Sequence, residues 1–103
     1  MSKAEIKAET TKIAALEKSY KAAKTASVKT PKDVKKQVAY LKATNAYAYK
    51  VMTAASLAPR DKYPVALRLY RESQKVSPAD KDSKKWIKGI EDIYRSMGRP
   101  IPK

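Results

Sequence analysis

The side chains best equipped for chemistry in this sequence are its cations. The chain has 24 Lys and Arg against 10 Asp and Glu, and its formal net charge is +14. Because it contains no Cys and no His, it lacks the common zinc ligands, a cysteine nucleophile and the base of a histidine-dependent triad. A charge of this size and sign is typical of a protein that binds polyanions or acidic protein surfaces.

The cations concentrate around the predicted turn between the first two helices. No acid occurs between Val34 and Arg60, and Tyr20 and Tyr40 lie near the edges of the basic stretch. Such a stretch can follow the phosphates of a polyanion. The alternative is a solvated surface, because lysines on the outer faces of Ala-rich helices also increase solubility. The predicted polyanion-binding residues are Lys18, Lys21, Lys24, Lys29, Lys32, Lys35 and Lys36.

Paired carboxylates are the remaining candidates for catalysis. Asp80 and Asp82 lie at a predicted helix start, and Glu91 with Asp92 on a helix surface, without a recognisable acid–base partner. The sequence therefore predicts a protein that is not an enzyme and that has no cofactor and no metal site. It also lacks the aromatic and glycine-loop signatures of RNA-binding modules, which argues against the reading of specific bases.

Helical periodicity runs through four segments of the chain, and each has a start signal. Ser2 and Glu5 have the spacing of a capping box. Thr30 and Ser77 each precede a proline, which is accepted in the first turn of a helix. No stretch alternates with the period of a strand. The predicted N-caps are Ser2, Thr30, Asp61 and Ser77, with Pro64 in the first turn of the third helix, and the predicted stops are Pro59 and Gly98.

These signals predict an all-α fold of about four helices, near residues 3–27, 31–57, 62–76 and 79–97, that form a small helical bundle or a pair of hairpins. With 103 residues the chain is expected to be a single helical domain, 1–103, with an extended tail at 98–103. The predicted apolar faces include Ile6, Tyr20, Val34, Val38, Tyr70, Trp86 and Met97.

Targeting and membrane signals are weak. Residues 43–58 are the most apolar stretch, but they are interrupted by polar side chains and fall short of the roughly 20 residues that a bilayer requires. The first thirty residues lack the apolar segment of a signal peptide. We therefore expect a protein that is neither membrane-spanning nor secreted, and the absence of Cys fits an organellar or cytoplasmic interior.

The most specific string is Ala66-Leu67-Arg68-Leu69-Tyr70-Arg71 near one helix start, followed on the next helix by Tyr94-Arg95. Over residues 63–98 this resembles the LYR-motif family of small basic helical proteins of mitochondria. In that family a Leu-Tyr-Arg tripeptide begins one helix and an aromatic-Arg pair lies on the second. The resemblance implies partner binding by Leu69, Tyr70, Arg71, Tyr94 and Arg95.

A second resemblance involves the same part of the chain. Tyr63, Ala66, Tyr70, Ser73 and Pro78 have the spacing of the second helix of a tetratricopeptide repeat. The linker to the next helix is longer than that repeat permits. This pattern therefore indicates a helix pair and not a repeat array.

Two functional hypotheses follow. The first, implied by the LYR-motif resemblance, is a non-catalytic structural or accessory subunit of a larger assembly, a mitochondrial complex of the respiratory chain, ATP synthase or ribosome. Its partners would be other protein subunits and, as in some LYR-motif proteins, acyl carrier protein. The alternative is a basic helical nucleic-acid-binding protein, mitochondrial or cytoplasmic, that contacts phosphates without base specificity. RNA or an acidic lipid surface would then bind the lysine-rich stretch.

Overall fold

A computed structural model describes residues 1–103 and consists of four α-helices without a strand. The predicted all-α class and the number of helices are confirmed. The helices are α1 (Lys3–Lys29), α2 (Val34–Thr53), α3 (Pro59–Val76) and α4 (Lys81–Ser96).

Consecutive helices run antiparallel, as side-chain contacts between them show. The start of α1 meets the end of α2, because Ser56 donates to Glu9 from both its backbone N–H (2.8 Å) and its hydroxyl (2.7 Å). The end of α3 meets the start of α4, because Gln74 Nε2 donates to Ser83 Oγ at 2.6 Å. The α1–α2 and α3–α4 turns therefore lie at the same end of the molecule.

The core is formed mainly by α2 and α3, which lie in the middle of the chain and pack against helices on both sides. Each helix packs principally against its neighbours in sequence. Tyr70, predicted as a core residue, is 1% exposed and is among the largest fully buried side chains. Trp86 is partly buried and packs against this core, with its ring edge-on to Tyr49 at 5.8 Å.

The residues that follow α4 form a tail without helix. Gly98 has a φ of 65°, which confirms it as the left-handed stop of α4. The tail then folds back along α3. Ile101 packs against the core, and Arg71 Nη1 donates to the main-chain oxygens of Pro102 and Lys103 at 2.8 and 3.2 Å.

The capping box at Ser2 is confirmed, but two of the other predicted N-caps are displaced by three residues. Asp33 caps α2 and Asp80 caps α4, while Thr30 and Ser77 are the C-caps of the preceding helices. Each displaced segment is a turn in which the Asp N–H donates to the Thr30 or Ser77 carbonyl at 3.0 Å. Proline fits the second position of such a turn as well as the first turn of a helix.

The boundary between α2 and α3 also differs from the prediction. The second helix ends at Thr53, not near residue 57, and Pro59 begins α3 where it was expected to end α2. Proline suits the first helical position, because its fixed φ is helical and its missing N–H has no partner there. Ala58 is therefore the N-cap, Asp61 lies in the first turn, and Pro64 falls inside the helix, past the first turn in which it was expected.

Several side chains that were predicted on apolar faces are exposed. Val34, the first residue of α2, is 68% exposed, and Val38, about one turn later, is 43% exposed. Ile6 is 42% exposed, and the buried part of α1 begins only further along the helix. Met97, at the C-cap of α4, is 45% exposed.

Candidate functional site

The seven predicted lysines lie along the C-terminal half of α1, in the turn that follows it and in the first turn of α2, and all are exposed. We call them the Lys surface. Lys21, Lys29 and Lys36 line one shallow groove together with small side chains of α1, so the structure brings the two helices' cations together. The members of the Lys surface are Lys18, Lys21, Lys24, Lys29, Lys32, Lys35 and Lys36.

Most of this charge is not neutralised within the molecule. Lys21 pairs with Glu17 at 3.9 Å, and both side chains are largely exposed. Lys24 pairs with Glu72 at 3.4 Å. The other five lysines make no ion pair. Exposed ammonium groups without partners keep their full charge for an external anion.

Lys24 stands apart from the other lysines because it faces α3. Its Nζ lies 3.5 Å from Tyr20 Oη and 5.7 Å from the centre of that ring. Burial, the largest single influence, would lower the pKa of Lys24, but the negative charge of Glu72 and the hydrogen bonds to Tyr20 and Glu72 together outweigh it, and the pKa lies above its ordinary value. Lys24 therefore lies at the boundary between the Lys surface and the region where α1, α2 and α3 meet.

Tyr20 and Tyr40, expected near the edges of the basic stretch, are buried and 9% and 8% exposed. Their rings are 6.3 Å apart, and Tyr47 lies 5.5 Å from Tyr20. Both Tyr20 and Tyr40 donate their hydroxyls to the Glu72 carboxylate. These rings pack against other side chains of the protein, so their faces are not available to stack on a base.

The Glu72 carboxylate is held ionised by its donors. Burial would raise its pKa, but the hydrogen bonds from Tyr40 and Tyr20 and the charge of Lys24 together bring the pKa below its ordinary value. The same contacts act oppositely on the phenols. Burial and the Glu72 carboxylate raise the pKa of Tyr40, and burial with a hydrogen bond to Glu17 raises that of Tyr47 to about 12. The Glu72 carboxylate thus stays negatively charged beneath the Lys surface.

The five residues of the LYR-like pattern form the α3–α4 hairpin. Leu69 and Tyr70 are 1% exposed and Tyr94 is 8% exposed, so all three lie in the core. Arg71 and Arg95 are brought together on Glu91, at 3.6 and 3.9 Å, and Arg95 also pairs with Asp92 at 2.8 Å. Since Arg71 also binds the tail, both guanidinium groups have acceptors within the chain. Partner binding by these residues stays a prediction.

The carboxylates that join the helices were not identified from the sequence. Glu72 follows Arg71 and has the pattern of an ordinary surface charge, and its hydrogen-bond partner Tyr20 is 52 residues away. Glu9, which binds the α2–α3 connection, also forms an ion pair with Lys50 at 3.6 Å. Neither glutamate has a local signal, because what distinguishes it is a contact with a distant helix.

Comparisons with known proteins found no relative: no family model, no curated protein and no solved structure matches this chain. No helix combines the length and the apolar character needed to cross a membrane.

Proposed function

We propose that the protein is a non-catalytic binding protein that attaches to a nucleic acid through the Lys surface, by phosphate contacts that read no bases. The main observation in support of this proposal is the exposure of five unpaired lysines along the C-terminal half of α1, in the turn and at the start of α2. Lysine acts on phosphate as a point charge, and its contacts carry no sequence information. The burial of Tyr20 and Tyr40 favours phosphate contacts over base stacking.

Binding of this kind has a defined dependence on salt. Each neutralised phosphate releases condensed counterions, so the logarithm of the binding constant falls with the logarithm of salt concentration by about 0.7 per contact on a single strand and about 0.9 on a duplex. We expect a steep dependence and similar affinities for RNA strands of different sequence. Titrations of labelled RNA at several salt concentrations, followed by fluorescence anisotropy, measure both.

A triple variant tests the surface directly. Lys29→Gln/Lys32→Gln/Lys36→Gln removes three exposed charges and should reduce the slope on single strands by about 2. The matched control removes the same charge from the other end of α1, where Lys3, Lys7 and Lys12 are also exposed and unpaired. Equal losses in the two triple variants, or no RNA binding by the wild type at low salt, would refute the proposal.

A second candidate is the accessory-subunit role in a larger, mitochondrial assembly that the LYR-like hairpin implies. Exposed apolar side chains favour it: Tyr49 is 50% and Met97 45% exposed, besides Ile6, Val34 and Val38. The test is binding to purified acyl carrier protein, with Arg95→Ala as the variant because Arg95 is exposed. The hypothesis predicts weaker binding by Arg95→Ala with an unchanged fold. A wild type that does not bind acyl carrier protein and purifies from its source as a free monomer contradicts it.

A further inference from the structure

A groove of about 580 Å³ runs along α3, between Lys24 of α1 and the C-terminal tail. Three separate parts of the chain contribute basic side chains to its lining, and there is one acidic side chain. We call it the α3 groove. Its charged residues are Lys24, Arg68, Arg71, Glu72, Lys75 and Lys103.

The cations of α3 share one face of that helix. Arg68, Arg71 and Lys75 follow one another at spacings of three and four residues, which places their side chains in one row. The antiparallel packing of α1 on α2 brings Lys24 to one side of this row. The tail brings Lys103 to the other, because Ile101 packs on the core and Arg71 binds the main-chain oxygens of the tail.

The charges within the α3 groove are unequally available. Glu72 is occupied by Tyr20, Tyr40 and Lys24, so its negative charge is already neutralised. Arg71 is held by the tail and by Glu91. By contrast, the side chains of Arg68 and Lys75 are exposed and make no ion pair. Two free cations of α3 therefore line a groove whose one acidic side chain has partners.

We propose that the α3 groove binds a small oligophosphate. Its volume lies within the usual range of small-molecule sites, and its charged lining suits an anion better than an apolar ligand. Guanidinium groups match phosphate oxygens in a two-pronged geometry that ammonium groups lack. Arg68 and Lys75 are two helical turns apart, about 10.5 Å along the axis, so a chain of linked phosphates fits their spacing better than a single phosphate does.

The test is isothermal titration calorimetry of the full chain with inorganic triphosphate, at constant ionic strength and without RNA. The wild type should bind one triphosphate, and orthophosphate about tenfold or more weakly. Arg68→Gln/Lys75→Gln should weaken triphosphate binding by about tenfold or more, as expected when charged partners are lost. Both side chains are exposed, so circular dichroism and thermal unfolding should show an intact fold.

The matched control is Lys32→Gln/Lys35→Gln, which removes the same charge from the Lys surface. It should change triphosphate affinity by less than about twofold, since these residues are outside the α3 groove. Equal weakening by the two double variants, or undetectable binding by the wild type, overturns the oligophosphate site.

RNA titrations with the same variants separate this inference from the proposed function. Wild-type protein that binds triphosphate with a stoichiometry of one but fails to bind RNA supports the groove and refutes the nucleic-acid proposal. RNA binding that requires Arg68 and Lys75, in a protein that does not bind triphosphate, instead places the polymer in the α3 groove and refutes the small-molecule site.

Discussion

Glu72 is the residue on which three helices converge, since it accepts from Tyr20 of α1 and Tyr40 of α2 while lying on α3 itself. Replacing Tyr40 by Phe removes one donor and leaves the ring. We expect the free energy of unfolding to fall by about 1–2 kcal/mol, because a hydrogen bond to a charged group is lost while Tyr20 still satisfies the carboxylate. Urea unfolding at neutral pH measures the change.

Tyr49→Phe is the control for the removal of a tyrosine hydroxyl. Tyr49 lies on the same helix but is 50% exposed, so its loss of a hydroxyl should alter stability by less than about 0.5 kcal/mol. A double-mutant cycle of Tyr40→Phe with Glu72→Gln should also show that the two effects are not additive. Equal effects at positions 40 and 49 would show that the Glu72 contact does not stabilise the fold.

The pKa of Glu72 predicts a loss of stability in acid. The folded-state pKa lies below the ordinary value of 4.5, so the unfolded chain takes up the proton first as the pH falls. The stabilisation is complete above 4.5 and is lost as the pH falls through the folded-state pKa. Glu9 and Asp80 also have lowered pKa values and add to the same trend.

A difference measurement isolates the contribution of Glu72 to this acid sensitivity. Glu72→Gln lacks the titrating group, so the stability difference between wild type and variant should narrow as the pH falls below 4.5. Thermal unfolding at a series of pH values records the difference. A stability difference that stays constant down to strongly acid pH would contradict the lowered pKa of Glu72.

The N-caps Asp33 and Asp80 fix where α2 and α4 begin. Asp80 accepts from the Ser83 N–H and from Asn45 Nδ2 of α2, both at 3.0 Å. Asp80→Ala should therefore lower the free energy of unfolding by about 1–2 kcal/mol, through loss of the cap and of the link to α2. Chemical denaturation gives the value.

Ser77→Ala is the informative comparison for Asp80→Ala. The sequence pattern alone assigns the cap of α4 to Ser77, whereas the structure assigns it to Asp80, three residues later. The Ser77 side chain makes no hydrogen bond in the structure, so its removal should cost less than about 0.5 kcal/mol. A larger loss of stability in Ser77→Ala than in Asp80→Ala would show that Ser77 is the N-cap of α4, as the sequence pattern predicts.

The whole molecule carries a net charge of +14, and its compact state is opposed by repulsion among the lysines. Raising the salt concentration from about 0.01 M to about 0.15 M shortens the screening distance from about 30 Å to about 8 Å. We expect the melting temperature to rise by a few degrees, because the exposed ion pairs that salt also weakens contribute little. Differential scanning calorimetry measures the shift.

The triple variant Lys29→Gln/Lys32→Gln/Lys36→Gln lacks three of the lysines that repel one another, so its removal of charge should act in the same direction as added salt. Its melting temperature at low salt should exceed that of the wild type, and its dependence on salt should be smaller. If instead the melting temperature of the wild type falls with salt, attractive pairs such as Lys24–Glu72 and Lys50–Glu9 outweigh the repulsion.

The helical class, the number of helices, the capping box at Ser2 and the stop at Gly98 were all predictable from the sequence. These features depend on residues within one or two turns of each other, whose hydrogen bonding and backbone preferences are readable locally. The position of the Lys surface was equally predictable, because its lysines are neighbours in the chain.

Which charges remain free depends on the tertiary structure. It joined Glu72 to Tyr20 across 52 residues, placed Arg71 on the tail, and gathered Arg68, Lys75 and Lys103 around one groove. It also left Val34 and Val38 exposed, although the sequence pattern places both on an apolar face. A local pattern assigns each residue to a face of its own helix, but the partner across that face is set by how the helices pack, which depends on the whole chain.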